Sequence, residues 1–220
     1  MNLRICASIL PKTVNDAQVR IKKAEDSNVD FVEVRLDLLK TDVQLEDLAA
    51  NRKMTFIAAD RSRRNEADRQ TLLLKAAKTG FQYVDADLSS PKLQNFIGQA
   101  KVLGARCVVS FHDNSRTPSI PELNRILERE VSSGADVCKI VTTAHRLEDN
   151  LTLLQFIQAA QVRKKPVCFA MGELGRVSRL LSPVFGSFFT FASLERGSET
   201  APGQMTVQEM RAAYEILGFK

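Results

Sequence analysis

The sequence predicts an α/β fold, a single-domain (β/α)8 barrel (TIM barrel) that spans residues 1–220. Three observations predict it: strand-like runs recur at nearly even spacing, segments of helical periodicity fill most of the gaps, and no long linker divides the chain. A doubly wound open sheet is the alternative. That fold usually places a glycine-rich phosphate loop after its first strand, and the segment SILPK at 8–12 contains no glycine.

Eight runs rich in valine, isoleucine, phenylalanine and cysteine are the predicted strands. In chain order they are 3–10, 31–39, 54–60, 81–88, 105–113, 137–143, 166–172 and 187–193.

Apolar residues spaced three and four apart predict the intervening helices, most clearly within 123–131, 147–157 and 210–217. Two capping-box pairs mark helix starts, Ser119 with Glu122 and Thr206 with Glu209. Glycines stand where helices are expected to end: Gly80, Gly134 and Gly218. Only a short helix fits between strands seven and eight.

Composition limits the classes of function. The net charge is +5, but the charges are scattered and form no basic stripe with interleaved aromatic residues, so we expect no nucleic-acid partner. The mild positive excess suits a small anionic substrate. The sequence contains neither a signal-peptide pattern nor an apolar stretch long enough for a bilayer, which predicts a cytoplasmic location and no membrane partner.

The four cysteines predict buried thiols in a reducing compartment rather than a metal site. They are far apart, form no CxxC pair and lie within apolar runs: Cys6, Cys107, Cys138 and Cys168.

An internal repeat predicts a charged layer inside the barrel. A helix end that runs into a strand recurs in residues 23–36, 75–88 and, more loosely, 129–142. The repeat sets Glu33, Asp85 and Lys139 in equivalent places on strands two, four and six, so we expect them to point inward at one level. We expect the residues beside them to face the helices: Val32, Val34, Val84, Cys138 and Ile140.

A charged layer inside a barrel indicates a functional site. A lysine on an edge strand would be ordinary, but a closed barrel has no edge. A merely satisfied polar cluster is the structural alternative, yet buried ionic clusters often cost more than apolar replacements and occur mainly at working sites.

Polar residues also collect at the carboxyl ends of the predicted strands, where barrel enzymes carry their active sites. They are Ser8, Glu33, Arg35, Asp60, Arg61, Asp87, His112, Asp113, Lys139, Thr143 and Met171. His112, next to the strand of Lys139, is a natural proton carrier near neutral pH, whereas His145 begins a helix and is expected at the surface. No HxH or HExxH spacing supports a zinc site.

A lysine beside a histidine, with arginines around the rim, suggests imine chemistry on an anionic carbonyl compound. The nucleophile is the free amine, which burial and nearby cations favour. We expect the carboxylates of Glu33 and Asp85 to be neutralised by arginines, with Arg35 the first candidate.

Six motifs together identify a family. They are EVRLD (33–37), VVSFHDNSRTPS (108–119), CKIV (138–141), MGELGRVSR (171–179), FGSFFTFA (185–192) and TAPGQ (200–204). In this order and on these strands the chain resembles type I 3-dehydroquinate dehydratase, the Schiff-base-forming enzyme of the shikimate pathway.

The resemblance implies a mechanism and a set of site residues. Lys139 would condense with the C3 ketone of 3-dehydroquinate, and His112 would take the C2 proton and protonate the departing C1 hydroxyl, giving 3-dehydroshikimate with no metal or cofactor. Arg179 would hold the substrate carboxylate. The remaining substrate-contacting positions are Ser8, Glu33, Arg35, Arg61, Thr200 and Gln204. The resemblance also implies a lid formed by residues 194–204, and a homodimer.

The chain departs from the family pattern around the rim arginine. A glutamate usually stands four residues after it and pairs with the catalytic histidine, whereas here Glu66 lies five residues after Arg61. We expect Glu66 to reach His112 through a rearranged loop. Asn114 replaces an aromatic residue, and Thr200 replaces a serine.

Two other functions remain open at this stage. A class I aldolase-type Schiff-base lyase would share the interior lysine and the arginines. A catalytically silent barrel that binds a quinate-like metabolite is favoured only by the altered loop around Glu66.

Overall fold

The computed structural model of the chain describes residues 3–40, 43–49, 54–161 and 164–219; the predicted domain bounds, 1 and 220, lie outside these ranges. Eight parallel strands alternate with helices in a nearly closed barrel, which confirms the predicted fold. The strands are β1 (Ile5–Ile9), β2 (Phe31–Arg35), β3 (Thr55–Ala59), β4 (Tyr83–Asp87), β5 (Arg106–His112), β6 (Val137–Thr143), β7 (Lys165–Met171) and β8 (Thr190–Ala192).

Within the described ranges, eight α-helices pack around the strands. They are α1 (Val14–Asp26), α2 (Glu46–Ala49), α3 (Glu66–Lys78), α4 (Leu93–Val102), α5 (Ile120–Ser133), α6 (Glu148–Ala160), α7 (Arg176–Leu181) and α8 (Val207–Ile216). A 3₁₀ turn at Glu173–Gly175 leads into α7, the short helix that the sequence predicts between strands seven and eight. In the described part of the chain no helix is both long and apolar enough to cross a membrane.

The strand order is β7-β6-β5-β4-β3-β2-β1-β8. β8 pairs with β1 through the register Ile5 to Thr190. The barrel nearly closes between β8 and β7, the two ends of this order. The amide of Phe188, just before β8, donates to the carbonyl of Pro166 on β7 at 2.7 Å. β8 is shorter than the predicted strand 187–193 because residues 187–189 form this approach instead of a regular ladder.

Two apolar cores lie on opposite sides of the barrel wall. The outer core, between strands and helices, contains the residues predicted there: Val32, Val34, Val84, Cys138 and Ile140. The inner core fills the barrel with side chains that alternate with them: Cys6, Phe31, Ile57, Tyr83, Val108, Val137, Val141, Val167, Phe169, Phe189 and Phe191. All four cysteines are buried free thiols, as predicted.

The helix ends follow the predicted signals. Both capping boxes are present, with Ser119 and Thr206 as the N-caps of α5 and α8. Gly134 caps α5 with φ +98°, in the left-handed region that glycine adopts most easily. β2 ends at Arg35, earlier than the predicted strand 31–39, because the chain turns so that Leu39 donates back to the carbonyl of Leu36 at 3.1 Å.

Candidate active site

Lys139 lies in the middle of β6 and points into the barrel. Its Nζ is 3.1 Å from Oε1 of Glu33 and 2.9 Å from Oδ2 of Asp85, and the side chain is 7% exposed. The ring of Phe191 lies on another side, with its centroid 4.3 Å from Nζ. The predicted charged layer from β2, β4 and β6 is therefore confirmed.

Asp85 is kept ionised by its neighbours. Burial opposes its charge, but Arg61, Lys139 and Ser110 outweigh burial and hold the pKa of Asp85 well below its ordinary value. Nη2 of Arg61 lies 2.6 Å from Oδ1 of Asp85, and Oγ of Ser110 lies 2.6 Å from the same oxygen. Glu33 accepts a hydrogen bond of 2.5 Å from Ser8.

Arg35, our first candidate to neutralise these carboxylates, acts on Glu33 and Asp85 through its charge at a distance, and Arg61 makes the direct contact with Asp85. The guanidinium of Arg35 binds both oxygens of Asp37, at 2.9 and 2.6 Å. Asp37 lies two residues after Arg35 at the barrel rim. The ion pair is partly solvated there, so its desolvation costs less than that of an ion pair deeper in the barrel. Arg61, from the end of β3, takes the interior position instead.

His112 ends β5 and reaches the cavity from the strand next to Lys139. Ser110 on β5 pairs with Lys139 on β6, and His112 lies two residues beyond Ser110 on the same strand. Burial, together with the positive charges of Arg61 and Lys139, lowers the pKa of His112 well below its usual value. The imidazole is therefore neutral at pH 7 and able to accept a proton.

Glu66 does not reach His112 in this structure. It is the first residue of α3, and its carboxylate accepts from Nη1 of Arg69 at 2.7 Å and from Gln70 at 3.3 Å. Both partners lie one turn along the same helix, so helix geometry directs the side chain along α3 and away from the cavity. Within the described chain His112 has no hydrogen-bonded carboxylate partner.

Arg179 is a buried cation with incomplete pairing. It lies on α7, is 1% exposed, and stacks on Phe169 with 4.3 Å between Cζ and the ring centroid. Its Nε and Nη2 are buried without a hydrogen-bond partner in the described chain. Burial lowers the pKa of Arg179 to about 9. An unpaired guanidinium at this depth is costly, so the site is complete only with an anion.

One cavity of about 410 Å³ at the carboxyl ends of the strands brings these groups together. The predicted site residues that line it are Glu33, Arg35, Arg61, His112, Lys139, Arg179, Thr200 and Gln204. Ser8 lies behind them, between Glu33 and the Thr200 hydroxyl, which is 3.0 Å away.

The segment 200–204 is docked beside the cavity. The amide of Thr200 donates to Oε1 of Gln204 at 2.8 Å, and the amide of Gly172 donates to the carbonyl of Pro202 at 3.1 Å. Gly203 has φ +74°, and a Cβ there would stand 2.1 Å from the carbonyl oxygen of Gly172. Glycine is required at this contact because no side chain fits between the two backbones.

The sequence analysis missed the aromatic walls of the site. Phe169 and Phe191 line the cavity at inward positions of β7 and β8, and period-two alternation back from Met171 would have found the first of them. Asn114 also lines the cavity. Among the described residues no group of three His, Cys, Asp or Glu could hold a metal ion.

The cavity thus combines three chemical capacities. It holds an interior amine between two carboxylates, a neutral imidazole and an unpaired buried guanidinium. A nucleophile, a proton carrier and an anion-binding group in one pocket suit imine chemistry on an anionic ketone.

Comparisons with known proteins agree on one family. The family model of Type I 3-dehydroquinase matches residues 5–220. A 3-dehydroquinate dehydratase of Dehalococcoides mccartyi is 36% identical over 206 residues, covering 90% of each chain. One of Methanococcus maripaludis is 32% identical over 222 residues, covering 97% of this chain and 99% of the relative. The crystal structure of 3-dehydroquinate dehydratase from Geobacillus kaustophilus superposes with a TM-score of 0.89 at 23% identity, covering 99% of this chain and 92% of that one.

Proposed function

The chain belongs to the type I 3-dehydroquinase family, and from this premise we propose that Lys139 forms an imine with the substrate during catalysis. The activity is the dehydration of 3-dehydroquinate to 3-dehydroshikimate, a hydro-lyase reaction of the shikimate pathway.

Substrate binding begins at Arg179. Arg179 lines the cavity that holds Lys139, and a carboxylate is the planar anion that a guanidinium binds with two hydrogen bonds. Thr200 and Gln204 close one side, and Arg35 and Arg61 supply further donors at the rim. With the carboxylate held by Arg179, the ketone is directed toward Nζ of Lys139.

Imine formation needs the free amine. The ammonium of Lys139 first gives a proton to a neighbouring base, either one of its two carboxylates or the neutral His112. The amine then attacks the C3 carbonyl. The base returns its proton to the carbinolamine hydroxyl, which leaves as water to give a protonated imine. Glu33 and Asp85 stabilise that cation in the place of the ammonium.

Elimination follows from the imine, which draws electrons from C2. The neutral imidazole of His112 takes the C2 proton, and the electron pair becomes an enamine. His112 then protonates the C1 hydroxyl, which leaves as water as the C1–C2 double bond forms. Hydrolysis of the imine releases 3-dehydroshikimate and returns Lys139 to its ammonium state.

The observation that carries the proposal is an unpaired buried guanidinium in the same cavity as an interior lysine. We expect borohydride, added with 3-dehydroquinate, to trap a covalent adduct on Lys139, measured by mass spectrometry of the digested protein. The exposed lysine variant Lys92→Ala is the control and should be labelled like the wild type, whereas Lys139→Ala should not be labelled. Recovery of unlabelled wild-type protein that still binds substrate would exclude the imine.

The two rival functions are separated by product. Formation of the conjugated enone, seen as an increase in ultraviolet absorbance on mixing with 3-dehydroquinate, distinguishes dehydration from retro-aldol cleavage. A silent metabolite-binding barrel would give neither absorbance nor an adduct.

We also propose a cytoplasmic homodimer. Four buried free thiols suit a reducing compartment. Four exposed apolar side chains, Leu147, Leu151, Leu174 and Val177, lie on adjoining segments, because Asn150 on α6 donates to the carbonyl of Leu174 at 2.9 Å. An apolar patch of this kind suits a self-complementary interface between two copies. Light scattering at micromolar concentration measures the oligomeric state, and a monomer would contradict the proposal.

A further inference from the structure

A second cavity lies at the opposite end of the barrel from the active site. Its volume is about 430 Å³, close to that of the active-site cavity. It is lined by residues at the amino ends of the strands and the loops before them: Arg4, Phe31, Thr55, Gln82, Tyr83, Gly104, Arg106 and Phe188. We call it the amino-end pocket. None of these residues takes part in the proposed dehydration.

Three cations surround the amino-end pocket without a carboxylate partner. Cζ of Arg4 and Nζ of Lys165 each lie 4.8 Å from the ring centroid of Phe188. Nη1 of Arg106 lies 3.2 Å from the hydroxyl of Tyr83. In the described part of the chain none of the three cations forms an ion pair, unlike surface arginines such as Arg196, which binds Glu209 at 2.6 Å.

The nearby carboxylates are already engaged by the backbone. Oδ2 of Asp30 accepts from the amide of Ile5 at 3.0 Å, and Oδ2 of Asp136 accepts from the amide of Cys107 at 2.8 Å. Asp136 also has Lys101 at 3.7 Å. Asp136 acts on Arg106 only through its charge at a distance, and no carboxylate among the described residues forms an ion pair with the three cations, so the rim of the pocket keeps a positive excess that favours an anion.

The floor of the pocket is aromatic. The ring of Phe31 meets Phe188 edge to face, with 5.6 Å between centroids, and meets Tyr83 in the same way at 6.2 Å. The amide oxygen of Gln82 is used by the backbone of Phe56 at 2.7 Å. An apolar floor under a cationic rim complements a molecule with a flat apolar body and one negative group.

We propose that the amino-end pocket is a second ligand site, which binds a small ring-bearing carboxylate. The ring packs on Phe31, Tyr83 and Phe188, and the carboxylate takes the donors of Arg4 and Arg106. A bare inorganic anion would use only the rim, and an uncharged ring only the floor, so both bind more weakly.

The test uses 4-fluorobenzoate as the probe, followed by fluorine NMR. We expect saturable binding to the wild-type protein and equal binding to Arg179→Met, in which the active site has lost its buried guanidinium. The double variant Arg4→Gln/Arg106→Gln should bind the probe at least about tenfold more weakly, the effect of losing charge-assisted hydrogen bonds, while its turnover is unchanged. The control Arg125→Gln, on the exposed face of α5, should bind like the wild type.

Two further ligands test the chemistry of the probe. Both 4-fluorobenzyl alcohol, which keeps the ring, and inorganic phosphate, which keeps the charge, should bind at least about tenfold more weakly than 4-fluorobenzoate. The charge-conserving variant Arg106→Lys should retain binding within a few fold, which separates loss of charge from a folding defect. Equal binding by the double variant, by the alcohol or by phosphate, or loss of probe binding in Arg179→Met, would overturn the proposal.

Discussion

Arg179 combines a stability cost with a binding role. Its guanidinium is 1% exposed, and two of its three nitrogens are buried without partners in the described chain. Removing one partner from a buried charge is costly, whereas removing the charge itself is often stabilising. Binding sites commonly hold such residues because the ligand completes the pairing.

We therefore expect Arg179→Met to act in opposite directions on stability and on activity. The free energy of unfolding should rise by about 1–4 kcal/mol, the range found when buried ionic groups are replaced by apolar ones. The ratio kcat/KM should fall by about 10²-fold or more, because the carboxylate loses a two-point contact. Urea denaturation and steady-state kinetics measure the two effects.

Arg176→Met is the matched control, because Arg176 is on the same helix but exposed and paired with Glu173. It should change neither quantity much. A variant at Arg179 that loses stability along with activity would mean that the guanidinium is structural.

His112 is predicted to move protons after the imine has formed. His112→Ala should lower kcat by about 10²–10⁴, the usual contribution of general acid–base catalysis. Borohydride trapping of the adduct should remain measurable. His145→Ala is the control, because that ring is exposed and, among the described residues, forms a hydrogen bond only with the carbonyl of Ser115. Equal loss of trapping and turnover would mean that His112 is needed to form the imine as well.

At the scale of elements, the segment after β8 is held against the end of β7 by backbone contacts. Pro202 and Gly203 meet Gly172, and this places Thr200 and Gln204 at the cavity. The position of two cavity residues therefore depends on a close approach between the backbones of two loops.

Gly203→Ala should prevent that approach. The new Cβ would overlap the carbonyl oxygen of Gly172, so the segment would shift and kcat/KM should fall about tenfold or more, as small misplacements of site residues commonly cause. Gly197→Ala is a matched control with φ +82° and no atom within 4 Å of the new Cβ. It carries the same left-handed backbone cost, about 1–2 kcal/mol, without the clash. Equal kinetic losses in both variants would exclude the docking explanation.

The same elements explain what could be predicted from sequence. The inward layer of Glu33, Asp85 and Lys139 follows from strand alternation and the repeat, because both fix side-chain direction through the backbone. The partner of Asp85 does not follow: Arg35 and Arg61 both reach the rim, and the choice between them depends on the nearby Asp37. Long side chains on loops and helix ends have several directions open to them.

Glu66 and Phe191 illustrate the two kinds of error. Glu66 was assigned from a family position that the altered loop does not preserve, and its first-turn place on α3 directs it to Arg69. Phe191 was overlooked because an apolar residue in a strand looks like core. One side of its ring packs against Phe189 in the inner core, and the other side lines the cavity.

At the scale of the whole molecule, ionisation inside the barrel couples stability to pH. Asp85 and His112 both have a pKa below the ordinary value, so at each of them the unfolded chain binds protons more readily than the folded one. Their contribution is lost as the pH falls. Glu130, buried in the outer core with a raised pKa, acts in the opposite sense, so the contribution of one group is best isolated by a difference between variants.

We expect the wild type to lose stability relative to His112→Asn as acid is added. Below about pH 6.5 the unfolded chain protonates His112, while the folded chain keeps it neutral under burial and the charges of Arg61 and Lys139. Wild-type stability should therefore fall more steeply than that of the variant between about pH 6.5 and 5, and the two curves should run parallel above about pH 7.5. Urea denaturation across this range measures both slopes. Parallel curves throughout would mean that the folded state protonates His112 as readily as the unfolded chain does, and that burial does not lower its pKa.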